Sequence, residues 1–244
     1  MKLFTDNKKY RTIIITEEQA IMLHEATDGQ FSTDELDAIN DFRGKAEYCI
    51  RHLGNYIAAG SSRAVFQIDD EKVLKLGYNE AGRAQNIEEM QWSNGQYSFL
   101  PQVYDSANNG DWMISEFVLP AEEADFAYYF EKHLPDECRK LVGTWGEFTE
   151  FIHSVEAKVK NHAWRFFSDA KLNILRTDPL FNEVADYIEK TKMSTGDLTV
   201  LNNWGLAKRN NDAMPVLLDA GWRNGMNNEF YQGAGPQHID DILR

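Results

Sequence analysis

The spacing of apolar residues divides the chain into three parts. In residues 1–54, apolar positions recur every three or four residues, which is the pattern of amphipathic helices. Residues 55–120 carry short runs in which apolar and polar residues alternate, which is typical of strands, together with one helical stretch. Residues 121–244 return mainly to helical spacing. We therefore expect an α+β protein with an N-terminal helical extension, an antiparallel-sheet lobe and a helical lobe.

Two helix-start signals lie in the N-terminal extension. Thr16–Gln19 precedes an apolar stretch over Ala20–Ala26, and Ser32–Glu35 has the same capping-box form. A short strand-like run, Arg11–Ile15, comes before both signals. We expect one helix after the second signal, with its apolar face formed by Leu36, Ile39, Phe42 and Ala46. The extension is expected to pack on the sheet lobe, and a partner-binding surface is the alternative.

The expected strands of the sheet lobe are short and are joined by polar turns. They cover Tyr56–Ala59, Ala64–Ile68, Val73–Leu76, Gln102–Asp105 and Trp112–Val118. A helix at about Gly82–Trp92 separates the third strand from the fourth. Further helices are expected at Glu122–Lys132, within Pro135–Arg165 and at Leu180–Lys192. The boundary between the lobes is placed at Leu119–Ala121, where the strand pattern gives way to the helical one.

The composition is that of a protein with a substantial core and an acidic surface. The chain has 244 residues, of which 43% are apolar and 12% aromatic, and its formal net charge is −14. This length suffices to bury the core of one domain or of two small lobes. The negative charge disfavours nucleic acid and anionic membranes as partners.

Nothing in the sequence suggests export, a membrane span or a disulfide framework. The N-terminal residues lack the apolar stretch of a signal peptide, and no run approaches the roughly 18 apolar residues of a membrane span. Cys49 and Cys138 are the only cysteines. We expect both thiols to be reduced in a cytoplasmic protein.

Three oxygen-bearing side chains in the segment 194–221 have the order of a metal-assisted phosphoryl-transfer site. Asp197 precedes Asn202 by five residues, and a short expected hairpin then leads to Asp219 in an Asp-Ala-Gly sequence. Carboxylate and amide oxygens are the ligands that Mg²⁺ prefers. We expect Asp197 to be the catalytic base, and Asn202 and Asp219 to be the metal ligands. Asn203 is an alternative to Asn202, by a shift of one residue.

The sheet lobe supplies candidates for binding phosphate and adenine. Gly60 would let the backbone approach phosphate oxygens, and Ser61 and Ser62 offer amide and hydroxyl donors. Val65, five residues after the glycine, would cover an adenine ring. A loop with a single glycine also fits an ordinary hairpin.

A lysine in the third expected strand needs a counter-charge. By strand alternation, Lys75 points away from the face that carries Leu74 and Leu76. A desolvated ammonium group costs several kcal/mol unless it is paired. Glu89 on the following helix is the candidate partner, and Glu88 is the alternative because adjacent helical residues point in different directions.

Taken in order, these segments resemble the protein kinase-like superfamily. The form Asp-Leu-x-x-x-Asn, with Gly196 before Asp197, is more similar to the aminoglycoside and choline phosphotransferase branch than to eukaryotic protein kinases. The whole chain also resembles small kinase-like proteins of tailed bacteriophages. The resemblance implies a bilobal fold, ATP and Mg²⁺ as cofactors, and catalytic roles for Lys75 and Glu89 beside Asp197.

The resemblance also implies a hinge and a limit on the acceptor. Glu116-Phe-Val118 resembles the kinase hinge, so the backbone groups of Glu116 and Val118 are expected to pair with the adenine edge. Only Trp222–Arg244 follow the Asp-Ala-Gly segment, so a reduced helical lobe with a truncated tail is expected. Such a lobe would lack the peptide-binding groove of eukaryotic protein kinases. Gly196 replaces the arginine that reads activation-loop phosphorylation, so that form of regulation is not expected.

Two hypotheses for function follow. The first is an ATP- and Mg²⁺-dependent phosphotransferase that acts on the hydroxyl of an unidentified protein or small molecule. The second is a catalytically weak, pseudokinase-like binding or scaffold protein, such as a phage structural or host-interaction factor, acting in the host cytoplasm. The aromatic residues at 126–130 and Trp164, Phe166 and Phe167 are interpreted as core rather than as a stacking surface.

Overall fold

A computed structural model of the protein describes residues 30–59, 62–93, 95–191, 195–209 and 212–218. The elements expected at Arg11–Ile15 and Ala20–Ala26 lie outside these residues, as do Gly60, Ser61 and Asp219. The described helices are α1 (Thr33–Ala38), α2 (Phe42–Leu53), α3 (Glu80–Trp92), α4 (Glu123–His133), α5 (Asp136–Arg139), α6 (Trp145–Val159), α7 (Asp169–Leu175), α8 (Pro179–Thr191) and α9 (Thr195–Leu198). The described strands are β1 (Asn55–Ala59), β2 (Arg63–Gln67), β3 (Lys72–Gly77), β4 (Val103–Ser106), β5 (Trp112–Glu116), β6 (Leu119–Pro120), β7 (Trp204–Arg209) and β8 (Asp212–Leu217).

The first lobe is built on a five-stranded antiparallel sheet with the order β1-β2-β3-β5-β4. On β3, Lys75 lies opposite Val65 of β2 and Met113 of β5. Leu74 and Leu76 pack on the outer face of the sheet, so alternation places Lys75 on the inner face. The five strands expected from the sequence are therefore present, with ends shifted by one or two residues.

Helices α1 and α2 cover the outer face of this sheet, where Leu36 and Cys49 join its core. The prediction of a single helix after Ser32 is wrong, because the first helix ends before Ile39 and a second one follows. Asp41 caps this second helix by accepting a hydrogen bond from Gly44 N–H (2.9 Å). The expected capping box does not form, since the Ser32 side chain makes no cap hydrogen bond. The packing expected for the extension is confirmed for this part of it.

Helix α3 starts in very close contact with the sheet. A Cβ atom on Gly82 would lie 2.1 Å from the carbonyl oxygen of Ser62, and one on Gly77 would lie 2.9 Å from the Arg83 nitrogen. Asn79 caps the helix by accepting a hydrogen bond from Gly82 N–H (2.9 Å). Glycine at these two positions therefore lets the start of α3 contact the ends of β2 and β3.

The second lobe has an aromatic core formed mainly by helices. Phe126 of α4, Phe148 of α6 and Phe181 of α8 are fully buried there, together with Trp204 of β7. Trp204 Nε1 donates to the carbonyl oxygen of Leu198 (2.9 Å), so this ring also anchors α9. The core fixes the short α9 segment, which carries Asp197, against β7.

A three-stranded sheet, β6-β7-β8, joins the two lobes. Within the segment 119–121, expected to be only a boundary, Leu119–Pro120 forms β6 and pairs with β7. A Cβ atom on Gly205 of β7 would lie 2.3 Å from the carbonyl oxygen of Leu119, so glycine permits this close approach. The result is an α+β, two-lobed architecture, with a sheet-based first lobe and a mainly helical second lobe. Among the described residues, no helix has the length and apolar character needed to cross a membrane.

Candidate functional site

Lys75 lies on the inner face of the first sheet with 7% of its surface exposed. Its ammonium group donates to the carboxylate of Glu89 on α3, which is fully buried. It also donates to the carbonyl oxygen of Leu218, directly after β8 (2.8 Å). Of the two candidate partners in the sequence, Glu89 is the one that contacts Lys75, and the adjacent Glu88 is half-buried. One ammonium group therefore links the sheet lobe to the end of the β7–β8 hairpin.

A second buried cation, which the sequence analysis missed, contacts the same carboxylate. Arg63, the first residue of β2, donates from Nη1 to Glu89 Oε2 (2.8 Å) and to Asn86 Oδ1 (3.1 Å). Arg63 is 6% exposed. The available signal was its position directly after the candidate phosphate loop, at the start of a strand whose alternate residues face inward. Glu89 is thus shared by two cations, Lys75 and Arg63.

The candidate phosphate loop is described only from Ser62 onward. Ser62 is buried, and its hydroxyl donates to Gln85 Oε1 on α3 (2.7 Å). Its carbonyl oxygen accepts from Tyr78 N–H (3.0 Å). The Ser62 hydroxyl is therefore engaged with the helix, and Gly60 and Ser61 lie outside the described residues. Val65 lies on the same face as Lys75, as an adenine-covering residue requires.

The hairpin end and the Asp197 segment are joined by hydrogen bonds. Leu218 N–H donates to the carbonyl oxygen of Asn203 (2.6 Å). The Asn203 side chain donates from Nδ2 to the carbonyl oxygen of Asp197 (3.0 Å). Asp197 itself is half-buried on α9. The structure thus brings together Lys75, Leu218, Asn203 and Asp197 along one path of contacts.

The two adjacent asparagines differ in their surroundings. Asn202 is exposed, in the 3₁₀ turn Leu201–Asn203, whereas Asn203 is half-buried and tied to Asp197 and Leu218. Asn203 is therefore the asparagine that the described contacts tie to both the Asp197 segment and the hairpin end. Asp219 follows Leu218 in the sequence and lies outside the described residues.

The hinge residues lie between the two sheets. The Glu116 side chain forms an ion pair with Arg209 of β7, and Arg209 also donates to the carbonyl oxygen of Leu100 (2.8 Å). Glu116 N–H donates to the carbonyl oxygen of Gln102 (2.8 Å). Val118 is buried with residues of β7 and β8. The Glu116 side chain therefore connects the lobes, and a role in nucleotide binding would fall to backbone groups of the hinge.

Helix α6 supports the start of the Asp197 segment. Glu156 accepts hydrogen bonds from the Thr195 hydroxyl and from Lys160, both at 2.6 Å. Burial raises the pKa of Glu156, but the hydrogen bonds from Lys160 and Thr195 outweigh it and hold the pKa below its ordinary value. The ionised Glu156 therefore fixes the residue two positions before Asp197.

Some of the aromatic residues that the sequence analysis interpreted as core are exposed in the structure. Phe126, Phe130 and Phe167 are buried, as expected of core residues. Tyr128 of α4, however, is 61% exposed, and Trp164 and Phe166 are 56% and 53% exposed. Trp164 and Phe166 lie in the loop after α6, where Ser154 Oγ accepts from the backbone N–H groups of Phe166 (3.1 Å) and Phe167 (3.0 Å). Holding the backbone in this way buries the second of two adjacent rings and leaves the first exposed.

The metal ligands expected from the sequence are an asparagine amide and an aspartate carboxylate. Within residues 30–218, apart from the gaps given above, no group of three or more His, Cys, Asp and Glu side chains could hold a metal ion. The amide of Asn203 contacts the Asp197 segment, and Asp219, the sequence neighbour of Leu218, lies outside the described residues. Amide and carboxylate oxygens fit Mg²⁺, which usually binds one or two carboxylates together with phosphate oxygens.

Comparison with known proteins gives distant structural likeness only. No protein-family model matches the chain, and no curated protein matches it significantly. Solved structures of APH(2″)-IIa, as complexes with gentamicin and with streptomycin and ATP, are 13% and 15% identical to it, with TM-scores of 0.32 and 0.34. Each match covers 79% of this chain and 74% or 75% of the other. The ADP-bound aminoglycoside phosphotransferase APH(2″)-Ib is 16% identical, with a TM-score of 0.30 over 72% of this chain and 68% of that one. With TM-scores this low, these likenesses say nothing about the substrate of the present chain.

Proposed function

We propose that this protein is an ATP- and Mg²⁺-dependent phosphotransferase that transfers the γ-phosphate of ATP to a hydroxyl group of a protein or small molecule. The observation that carries the proposal is the path of contacts from Glu89 through Lys75, Leu218 and Asn203 to the backbone of Asp197. This path supports the proposal because it links a buried cation of one lobe to the two segments of the other lobe in which the oxygen ligands are expected. Phosphoryl transfer depends mainly on such positioning and on charge stabilisation.

Each side chain has a defined task in this reaction. The Lys75 ammonium group, oriented by Glu89, holds phosphate oxygens of the nucleotide. Asp197 orients the acceptor hydroxyl and takes its proton as the acceptor oxygen bonds to the γ-phosphorus. The bond from the γ-phosphorus to the bridging oxygen breaks, and ADP leaves with that oxygen.

The cofactor-binding roles follow from the same arrangement. Asn203 Oδ1 and the Asp219 carboxylate would hold Mg²⁺, which when bound neutralises charge on the phosphate oxygens. Asn203 takes precedence over Asn202 because its Nδ2 is fixed on Asp197, which leaves Oδ1 to bind the metal. Val65 would cover the adenine, and backbone groups at Glu116 and Val118 would pair with its edge.

Binding and turnover can be measured separately on the purified protein. A ligand at about 100 times its Kd stabilises the native state by about 2.7 kcal/mol, so Mg²⁺-ATP should raise the melting temperature. Lys75→Met should remove this shift, whereas Lys208→Met, at an exposed lysine of β7, should retain it. The absence of any shift in the wild-type protein would remove the nucleotide from the proposal.

Turnover is tested with γ-labelled ATP, using water, the protein itself and a panel of hydroxyl compounds as acceptors. Transfer should occur in the wild-type protein and fall at least about 100-fold in Asp197→Asn, since general-base catalysis contributes about 10²–10⁴-fold. Asp70→Asn, in the exposed β2–β3 turn, is the matched control and should be fully active. Mg²⁺-ATP binding without transfer to any acceptor would instead identify a pseudokinase-like binding protein.

A further inference from the structure

We propose that Arg63 is a positioning residue that holds the Glu89 carboxylate in the orientation that receives Lys75, before any nucleotide binds. The catalytic consequence of this inference rests on the proposed phosphotransfer, whereas its geometry does not. Arg63 has no part in the reaction described above. It is nevertheless buried and donates directly to Glu89.

The sheet brings Arg63 and Lys75 to the same carboxylate. In the β2–β3 pair, Lys75 lies opposite Val65, and Arg63 is two residues from Val65 along the same strand. Residues two apart in a strand share a face, so Arg63 is a diagonal neighbour of Lys75 on the inner face. Both side chains extend toward α3, where Arg63 takes one oxygen of Glu89 and Lys75 takes the other.

Arg63 is itself anchored to the backbone through Asn86. The side-chain oxygen Oδ1 of Asn86 accepts from Arg63 (3.1 Å), and its side-chain nitrogen Nδ2 donates to the backbone carbonyl oxygens of Gly110 (2.8 Å) and Lys75 (3.3 Å). Asn86 and Glu89 are both fully buried. A planar guanidinium group loses less freedom per hydrogen bond than an ammonium group does, so it suits this fixed position. Through Arg63 and Asn86, the orientation of Glu89 is therefore fixed relative to main-chain atoms of β3 and of the turn before β5.

Lys75 alone would fix Glu89 less well. Glutamate and lysine side chains are long and flexible, and ordering them costs conformational entropy. Lys75 also donates to the carbonyl oxygen of Leu218, and in the proposed reaction it would donate to phosphate oxygens as well. Arg63 keeps its own hydrogen bond to Glu89 while Lys75 is shared among these acceptors. We therefore expect Glu89 to stay in place when the nucleotide enters.

The contacts of Arg63, together with those of Ser62, also connect the candidate phosphate loop to α3. Ser62 donates to Gln85, and Arg63 contacts Asn86 and Glu89, so two consecutive residues contact one face of the helix. Gln85 and Asn86 lie four and three positions before Glu89, so the three side chains fall within about 100° of the helix circumference. The end of the loop and the glutamate that orients Lys75 are thus held as one unit.

Crystal structures of Arg63 variants test the geometry whether or not the protein is active. In Arg63→Met, which keeps the length but lacks the donors, Glu89 should turn away and the ion pair with Lys75 should open beyond 4 Å. Arg63→Lys should retain the pair in part, since one ammonium group can still reach Glu89. Arg83→Met is the matched control on α3, because Arg83 is partly exposed and lies 3.9 Å from Asp111. A Lys75–Glu89 pair that is unchanged in Arg63→Met would overturn the inference.

Kinetics then distinguish positioning from a simple loss of stability. Arg63→Met should lower kcat at least about tenfold with KM for ATP changed less than threefold, and Arg63→Lys should recover part of that loss. Leu172→Ala, a buried position of the second lobe, provides a destabilised control in which kcat of the folded protein should be unchanged. A kcat for Arg63→Met within twofold of wild type would refute a role in the reaction. An inactive wild-type protein would refute the phosphotransfer instead, and the crystal structures would still decide the role of Arg63.

Discussion

Replacing Glu89 by glutamine tests the buried ion-pair network directly. The Glu89 carboxylate has no exposed surface and accepts hydrogen bonds from both Lys75 and Arg63. Glutamine keeps the shape of the side chain but removes its charge. The two cations contact different oxygens of Glu89, so the –NH₂ group of glutamine would face one of them. Both cations would lose the charge of Glu89, and one would also lose its hydrogen bond to residue 89.

The expected loss of stability follows from this count of contacts. A hydrogen bond to a charged group contributes about 1.5–3 kcal/mol, and breaking a buried ion pair by removing one partner costs about 3–5 kcal/mol. Since one hydrogen bond can be kept, we expect Glu89→Gln to lower the free energy of unfolding by about 3 kcal/mol. This corresponds to a change of more than 100-fold in the ratio of folded to unfolded protein.

Urea denaturation, with the midpoint and the slope fitted together, measures this change. Glu88→Gln is the matched control, because it makes the same substitution at the adjacent half-buried position. We expect it to lower the free energy of unfolding by less than about 1 kcal/mol. Equal losses in the two variants would show that Glu89 is not the centre of a stabilising network.

Three further predictions concern other parts of the fold. Gly205→Ala should lower the free energy of unfolding by about 1–3 kcal/mol in urea denaturation, because the added Cβ would lie 2.3 Å from the carbonyl oxygen of Leu119. Gly143→Ala, whose Cβ would be 3.9 Å from the nearest atom, should be nearly neutral. Glu156→Gln should be less stable than wild type at pH 7. Because the pKa of Glu156 is lowered in the folded state, that difference should shrink as the pH falls below the ordinary value of 4.5 and through the folded-state pKa. A difference that stayed the same over this whole fall in pH would contradict the assignment. Burial raises the pKa of Cys49 to about 12, so a thiol reagent at pH 8 should modify it in urea and scarcely at all in the native protein.

Features set by local sequence could be predicted well. The strands and α3 follow from hydrophobic periodicity, and alternation alone places Lys75 on the face opposite Leu74 and Leu76. The choice between Glu88 and Glu89 was open in the sequence, because helical spacing does not give the rotation of α3 about its axis. That rotation is set by the contact of Gly82 with Ser62.

Features set by contacts distant in sequence could not be predicted. Arg63 is an ordinary strand residue in the sequence, and its burial depends on Asn86 and Glu89, more than twenty positions later. Which of the two asparagines contacts Asp197 depends on the 3₁₀ turn that directs the Asn203 amide to its carbonyl oxygen. The break between α1 and α2 was missed because the apolar spacing continues across Asp41, whose side chain caps the second helix.

The most direct test of the proposed phosphotransferase is a crystal structure of the protein with Mg²⁺ and a non-hydrolysable ATP analogue. We expect phosphate oxygens within hydrogen-bonding distance of Lys75 Nζ, and Mg²⁺ bound by Asn203 and Asp219. Arg63 should keep its contact with Glu89. A structure at saturating nucleotide in which no nucleotide contacts Lys75, or in which the nucleotide binds elsewhere on the protein, would contradict the proposed function.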